Sequence, residues 1–215
     1  MKNKTFLILL GVLILIVFAT MLIIRSYNPS QKLQMIEQQE LAEIAEIKAL
    51  LGEAYTLYIN NDFNAAEKRV HLLLRKAPRN LTALQLLGNI FFMQKKYDDA
   101  EKTFRTIIRI DSPRSINYNN LGQALAMQGK YFEAIPELKK AASLDPLMPQ
   151  PHLNLAEIYI KMNHKKAAVK SLKKAISLSK NKNSIAIDFN AFKALKDDPE
   201  FQQFMNQRTQ TKDKK

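Results

Sequence analysis

The histidines and acidic residues are the side chains of this sequence that could take part in acid–base or metal chemistry. His71, His152 and His164 do not have the spacing of a metal site. The absence of cysteine excludes disulfides, thiolate metal ligands and a thiol nucleophile. No glycine-rich phosphate loop and no G-x-S-x-G motif occurs. The sequence therefore predicts no enzyme activity, no catalytic residue, no metal and no cofactor, and favours a binding function.

Lysines dominate the basic charge of the chain, whose formal net charge is +13. Helical spacing places four of them on one side of a predicted helix, opposite its apolar residues: Lys166, Lys170, Lys173 and Lys174. A solvated outer face is the simpler interpretation, and a surface for an anionic partner or lipid is the alternative. Nucleic acid is not expected, because no aromatic side chains alternate with these lysines.

The N-terminal segment predicts a membrane anchor. A basic leader, residues 1–5, precedes residues 6–24, which carry no charge. As a helix this segment would be roughly 28 Å long, close to the thickness of the hydrocarbon core. A cleaved signal peptide with its site near Ala19 is the alternative. Lysines before the span weakly favour a cytoplasmic N-terminus, with the rest of the chain across a bacterial-type cytoplasmic membrane.

Residues 25–46 form a linker and an amphipathic helix in this interpretation. Pro29 is expected to break the preceding helix, and apolar residues then recur at helical spacing from Gln31 to Leu50. A helix that caps the first repeat is favoured over a coiled-coil dimerisation segment, because only about two heptads are present. Oligomerisation through this helix is therefore not favoured.

A period of 34 residues organises the rest of the chain. Steps of 34 residues link Gly88, Gly122 and Ala156. The same steps link a second set of small residues: Ala66, Ala100, Ala134 and Ala168. Small residues at fixed offsets let helices approach closely, while large neighbours fill the gaps. Four units without insertion follow from this register: 47–80, 81–114, 115–148 and 149–182.

These offsets, with Leu121-Gly122 and the Asp145-Pro146 stop, resemble the tetratricopeptide repeat (TPR), a helix–turn–helix unit. The resemblance implies an all-α solenoid over 47–182, in which the first helix of each unit lines a concave face. It also implies that an extended peptide binds there. The positions carried over are Tyr55, Tyr58, Gln85, Asn89, Phe92, Asn119, Asn120, Gln123, Asn154 and Glu157. The carboxylate clamp of chaperone-binding TPR proteins is not matched, since Leu51 and Tyr55 occupy its Lys and Asn positions.

The end of the chain predicts a cap and a tail. Residues 183–206 are apolar at helical spacing and include Asp198-Pro199-Glu200, which has the form of a helix start. Capping of the last repeat is the expected role. Residues 207–215 are polar and basic, and a disordered tail is predicted there.

The sequence as a whole predicts a single-pass, membrane-anchored TPR scaffold or assembly factor in the bacterial cell envelope, with its solenoid on the extracytoplasmic side. A cytoplasm-facing recruitment platform is the alternative. The predicted partners are a protein or an extended peptide segment, together with the membrane that holds the anchor.

Overall fold

The computed structural model describes residues 11–22, 29–179 and 189–212. Within those ranges the regular elements are helical and no strand is present. The elements are α1 (11–22), α2 (Pro29–Ile59), α3 (Phe63–Lys76), α4 (Leu81–Met93), α5 (Tyr97–Ile110), α6 (Ser115–Met127), α7 (Tyr131–Leu144), α8 (Gln150–Lys161), α9 (Lys165–Ser179), a 3-10 helix (Phe189–Leu195) and α10 (Pro199–Lys212).

Met1–Ala49 forms one of two compact units. The basic leader lies outside the described residues, and the predicted span 6–24 is described only over 11–22. The apolar residues of the amphipathic segment, among them Leu33, Leu41 and Ile44, are exposed. Within the described ranges, none of the helices combines the length and the apolar character needed to cross a bilayer.

Helix α2 is longer than the sequence predicts. It begins at Pro29 and ends at Ile59, so no break separates the predicted segment 25–46 from the first repeat. Pro29 can start the helix because a proline in the first turn loses no helical hydrogen bond. Residues 47–51 contain strong helix formers, and the helix continues through Gly52. Residues 25–28 lie outside the described residues.

Leu50–Lys215 forms the second unit, in which consecutive helices α3 to α9 pack against one another as antiparallel neighbours. Between the paired helices, one turn residue has a left-handed backbone: Asn61, Lys95, Gly129 and Asn163, with φ of 61°, 62°, 77° and 59°. These residues are 34 positions apart, so the turn repeats with the sequence period.

The small residues of the period lie where the helices approach most closely. Ala66, Ala100, Ala134 and Ala168 are all fully buried. A Cβ added at Gly88 would lie 2.6 Å from the Phe104 ring, and one added at Gly122 would lie 2.6 Å from Leu138 Cγ. Glycine is therefore needed at both positions for close packing, which explains the register found in the sequence.

A half-buried carboxylate links neighbouring repeats. Glu101 on α5 accepts hydrogen bonds from Lys130 Nζ and Gln128 Nε2, both at 2.9 Å, and it also pairs with Arg105. Burial raises the pKa of Glu101, but these hydrogen bonds outweigh burial and hold the pKa below its ordinary value. Glu67 makes the corresponding contact with Lys96 at 2.9 Å, one repeat earlier.

The closing segment covers the end of the array. Phe192 and Leu195 are buried in one cluster with Val169, Leu172 and Ile176 of α9. Ile185 and Ile187, which belong to the apolar set predicted to form the cap, lie outside the described residues.

Asp198 begins α10 as the sequence predicts, because its Oδ1 accepts from the Phe201 backbone N–H at 3.0 Å. The helix continues to Lys212, so residues 207–212 are helical where a disordered tail is predicted. Gln, Arg and Lys favour helix there, and no Gly or Pro ends it. Residues 213–215 lie outside the described ranges.

Candidate functional site: a groove across the first three repeats

A groove of about 630 Å³ lies on the face formed by α2, α4 and α6, the first helices of three successive repeats. Because side chains three and four positions apart share a helix face, each helix contributes residues at this spacing. Seven of the ten predicted site residues line the groove together. They are Tyr55, Tyr58, Gln85, Asn89, Phe92, Asn120 and Gln123.

Aromatic side chains form the part of the groove contributed by α2 and α4. Tyr58 packs against Phe63 with ring centroids 5.7 Å apart, and Phe92 packs edge-on against Tyr97 at 5.4 Å. The two pairs are 34 residues apart in sequence. Contact with the following helix holds each groove-facing ring in place, so this part of the groove offers fixed apolar surface.

Amide side chains form the middle of the groove. Gln85, Asn89, Asn120 and Gln123 are half-buried, and Gln85 Nε2 donates to Asn89 Oδ1 over 3.4 Å. An amide side chain offers both donors and an acceptor, as does the backbone of an extended peptide. The middle of the groove is therefore chemically suited to main-chain recognition.

Three predicted residues do not line this groove: Asn119, Asn154 and Glu157. Asn119 is buried, donates to Asn120 Oδ1 at 3.3 Å and accepts from Asn154 Nδ2 at 3.0 Å. These hydrogen bonds join α6 to α8 and orient Asn120. The Asn154 side chain therefore contacts the neighbouring helix and does not face the groove. Glu157 is exposed on α8.

Several groove residues are absent from the sequence-based set. Asp111 and Arg114 lie in the connection between α5 and α6, with Arg114 Nη1 3.9 Å from Asp111 Oδ2. Asn117 follows on the first turn of α6, while Met93 and Ile116 add exposed apolar surface. These residues fall in a loop or between the fixed offsets at which concave-face positions recur in the first helix of each repeat.

The four predicted lysines lie beside two neighbouring depressions, both of which Ala167 lines. Lys170, Lys173 and Lys174 line a shallow depression with Lys139, whereas Lys166 lies beside a different one near the α8–α9 turn. Lys173 Nζ binds Glu200 at 2.7 Å and lies 5.8 Å from the centre of the Phe204 ring. It therefore helps to hold α10 on α9.

His152 lines the same depression as Lys174. Burial, together with the positive charge of Lys174, holds the pKa of His152 below its ordinary value. At neutral pH this histidine is therefore uncharged and adds no positive charge to the lysines around it. Across the described ranges, no three His, Asp or Glu side chains converge as a metal site.

Known proteins resemble this chain in both sequence and fold. Two family models, each described as tetratricopeptide repeat, match residues 51–115 and 125–183, and together they cover more than half of the chain. No curated protein sequence matches it significantly.

Solved structures of MamA have the same fold. MamA 41-end from Desulfovibrio magneticus RS-1 is 20% identical with a TM-score of 0.60, over 64% of this chain and 78% of that one. MamA MSR-1 C2 is 23% identical with a TM-score of 0.56, over 62% and 77%. At these identities the likeness shows the fold alone. The two family models, together with the 34-residue period and the helix pairing, show that the chain belongs to the tetratricopeptide-repeat family.

Proposed function

We propose that this protein is a scaffold or assembly factor that binds extended segments of other proteins in the groove formed by α2, α4 and α6. The observation that carries the proposal is the groove itself. It combines fixed aromatic surface around Tyr58 and Phe92 with half-buried amides at Asn89, Asn120 and Gln123. An extended peptide needs apolar contacts for alternate side chains and polar partners for its main chain.

A photo-crosslinking experiment tests the groove directly. A photoreactive phenylalanine replaces Tyr58 in the groove or, as a matched control, Phe132, which is exposed on α7 and does not line the groove. We expect the Tyr58 position to form discrete protein adducts that the control position does not form. The combined change Tyr58→Ala and Asn89→Ala should then abolish the same adducts, detected from a third groove position, Gln123. Adducts at Gln123 that persist in this variant would refute the role of Tyr58 and Asn89 in binding.

We further propose that residues 6–24 anchor the chain in a bacterial-type cytoplasmic membrane, with the repeats on its extracytoplasmic side. The uncharged nineteen-residue segment and the lysines before it support this placement. Deletion of residues 6–24 should release the protein from washed membranes into the soluble fraction. A deletion variant that remains bound would refute the anchor.

The topology can be tested with single cysteines, because the natural sequence contains none. Ser143→Cys places a thiol at an exposed position on α7. An impermeant maleimide should label it in intact spheroplasts. Labelling only after lysis would instead favour the alternative, a recruitment platform that faces the cytoplasm.

A further inference from the structure

We propose that Asn117 is a specificity-determining residue of the groove, and that its side-chain amide donates to a carbonyl or carboxylate oxygen of the bound peptide. The inference rests on the proposed function and assigns to this residue a role that its position in the repeat does not imply. Asn117 lies on the first turn of α6 and lines the groove, yet it is only 2% exposed.

The amide nitrogen of Asn117 is a buried donor for which the described part of the chain supplies no acceptor. Among the described residues, no oxygen accepts a hydrogen bond from Asn117 Nδ2. Buried polar groups in proteins nearly always have a partner, and each exception calls for an explanation. A ligand atom is one such explanation, because an acceptor supplied on binding would satisfy a donor that the free protein leaves unpaired.

Packing of the repeats does not require asparagine at this position. The positions 34 residues before and after Asn117 hold Ala83 and Pro151, and both are buried. Alanine therefore fits the same place in the neighbouring repeat. The polar side chain at Asn117 is a feature of this one unit, located where that unit meets the groove.

The surroundings of Asn117 define the chemistry of the ligand. Arg114 lies one turn earlier and has a largely exposed guanidinium, which keeps further N–H donors available beside its 3.9 Å contact with Asp111. Met93 and Ile116 line the same groove and are exposed. These residues together suit an extended peptide that presents an acceptor oxygen next to an apolar side chain.

A defined probe makes the inference testable on the full chain. A phage-displayed library of random linear twelve-residue peptides is selected against the immobilised protein, and one enriched peptide is synthesised with a fluorescent label. We expect Asn117→Ala to raise its Kd about tenfold, since a hydrogen bond to a buried donor is lost. The melting temperature should not fall, because the free protein loses an unpaired polar group.

Two further variants separate hydrogen bonding from structure. Asn117→Ser keeps a donor, so its Kd should lie closer to that of the parent than the Kd of Asn117→Ala does. Thr103→Val is the matched control, because Thr103 is a buried polar residue outside the groove whose hydroxyl donates to the Asp99 carbonyl. Its Kd should equal that of the parent.

Changes in the peptide distinguish the two sources of the oxygen. If a carboxylate is the acceptor, replacing the peptide's Asp or Glu by alanine should remove the difference between parent and Asn117→Ala. If a main-chain carbonyl is the acceptor, an amide-to-ester replacement that weakens that carbonyl should do so. An effect of Asn117→Ala that no peptide change removes would overturn the inference.

The remaining outcomes separate the inference from the proposed function. If Asn117→Ala binds like the parent while Tyr58→Ala binds weakly, the inference is refuted and the groove remains the binding site. If neither change alters binding, or if no peptide is enriched, the proposed function fails as well. Equal losses for Asn117→Ala and Asn117→Ser, each with a lower melting temperature, would show a structural role and refute the inference.

Discussion

Replacing Gly122 by alanine tests the helix crossing on which the repeat register depends. The added Cβ would lie 2.6 Å from Leu138 Cγ, 2.8 Å from Leu138 Cδ2 and 3.3 Å from the Ala134 carbonyl oxygen. Non-bonded carbon atoms are most stable about 3.5–4.0 Å apart, so the leucine must move by about 1 Å. Leu138 is fully buried, which leaves it little room to do so.

The expected magnitude follows from two opposing effects. Overpacking of a core costs about 1–3 kcal/mol, whereas alanine stabilises a helix interior over glycine by about 1 kcal/mol. Gly52→Ala in α2 is the matched control, because nothing lies within 4 Å of a Cβ added there. Gly52→Ala should therefore stabilise the protein. The helix-propensity effect is common to both variants, so their difference isolates the overpacking cost of about 1–3 kcal/mol.

Thermal unfolding followed by circular dichroism at 222 nm measures the difference. For a chain of this size about 1 kcal/mol changes Tm by about 2–4 °C, so the two variants should be clearly separated. Leu138→Ala alone should cost about 2–5 kcal/mol, and the double variant with Gly122→Ala should cost less than the sum, because the new methyl group fills part of the cavity. Equal stabilisation by Gly52→Ala and Gly122→Ala would refute the crossing.

Three further predictions concern a contact between repeats, a turn between paired helices and a helix cap. Glu101→Gln should destabilise the protein at neutral pH by about 1 kcal/mol, and the difference from the parent should shrink in acid. The folded-state pKa of Glu101 lies below the ordinary value of about 4.3, so its contribution is complete above that value and is lost as the pH falls through the folded-state pKa. Urea unfolding at several pH values measures this, and a pH-independent difference would contradict it. Lys95→Gly should stabilise by about 1 kcal/mol, because Lys95 has φ of 62°, and an unchanged urea midpoint would argue against a left-handed residue there. Asp198→Ala should cost about 1 kcal/mol of cap stability and increase hydrogen exchange in α10, and unchanged exchange would show that the cap does not hold this helix.

The architecture was largely predictable because packing imposes a period on the sequence. A close helix crossing admits only glycine or alanine, so positions such as Gly122 and Ala134 report the crossing even in a single sequence. The start of α10 was predictable for a different reason. Few residues cap a helix as well as Asp198 or suit its first turn as well as Pro199. The extent of α2 was less predictable, since strong helix formers hide any boundary near residue 47.

The candidate site was only partly predictable because contacts between repeats decide which side chains are available. Asn154 has the residue type expected of a groove position, but it donates to Asn119 on the neighbouring helix. The sequence shows that Asn117 is polar where the neighbouring repeats have Ala83 and Pro151, but only the structure shows that none of the described residues accepts from its Nδ2. The Glu101–Lys130 pair, 29 residues apart, has an earlier counterpart in Glu67–Lys96 at the same separation, and this recurrence is a signal in the sequence.

The groove is formed by the first three repeats only, so a second ligand can contact the chain outside it. The depression that includes Lys139, Lys170 and Lys174 shares no lining residue with the groove. One protein segment in the groove would therefore leave the depression around Lys139, Lys170 and Lys174 uncovered. For a partner with two linked binding segments, the linker would set the effective concentration of the second segment, without any conformational change. The fold thus presents two separate surfaces on one folded unit.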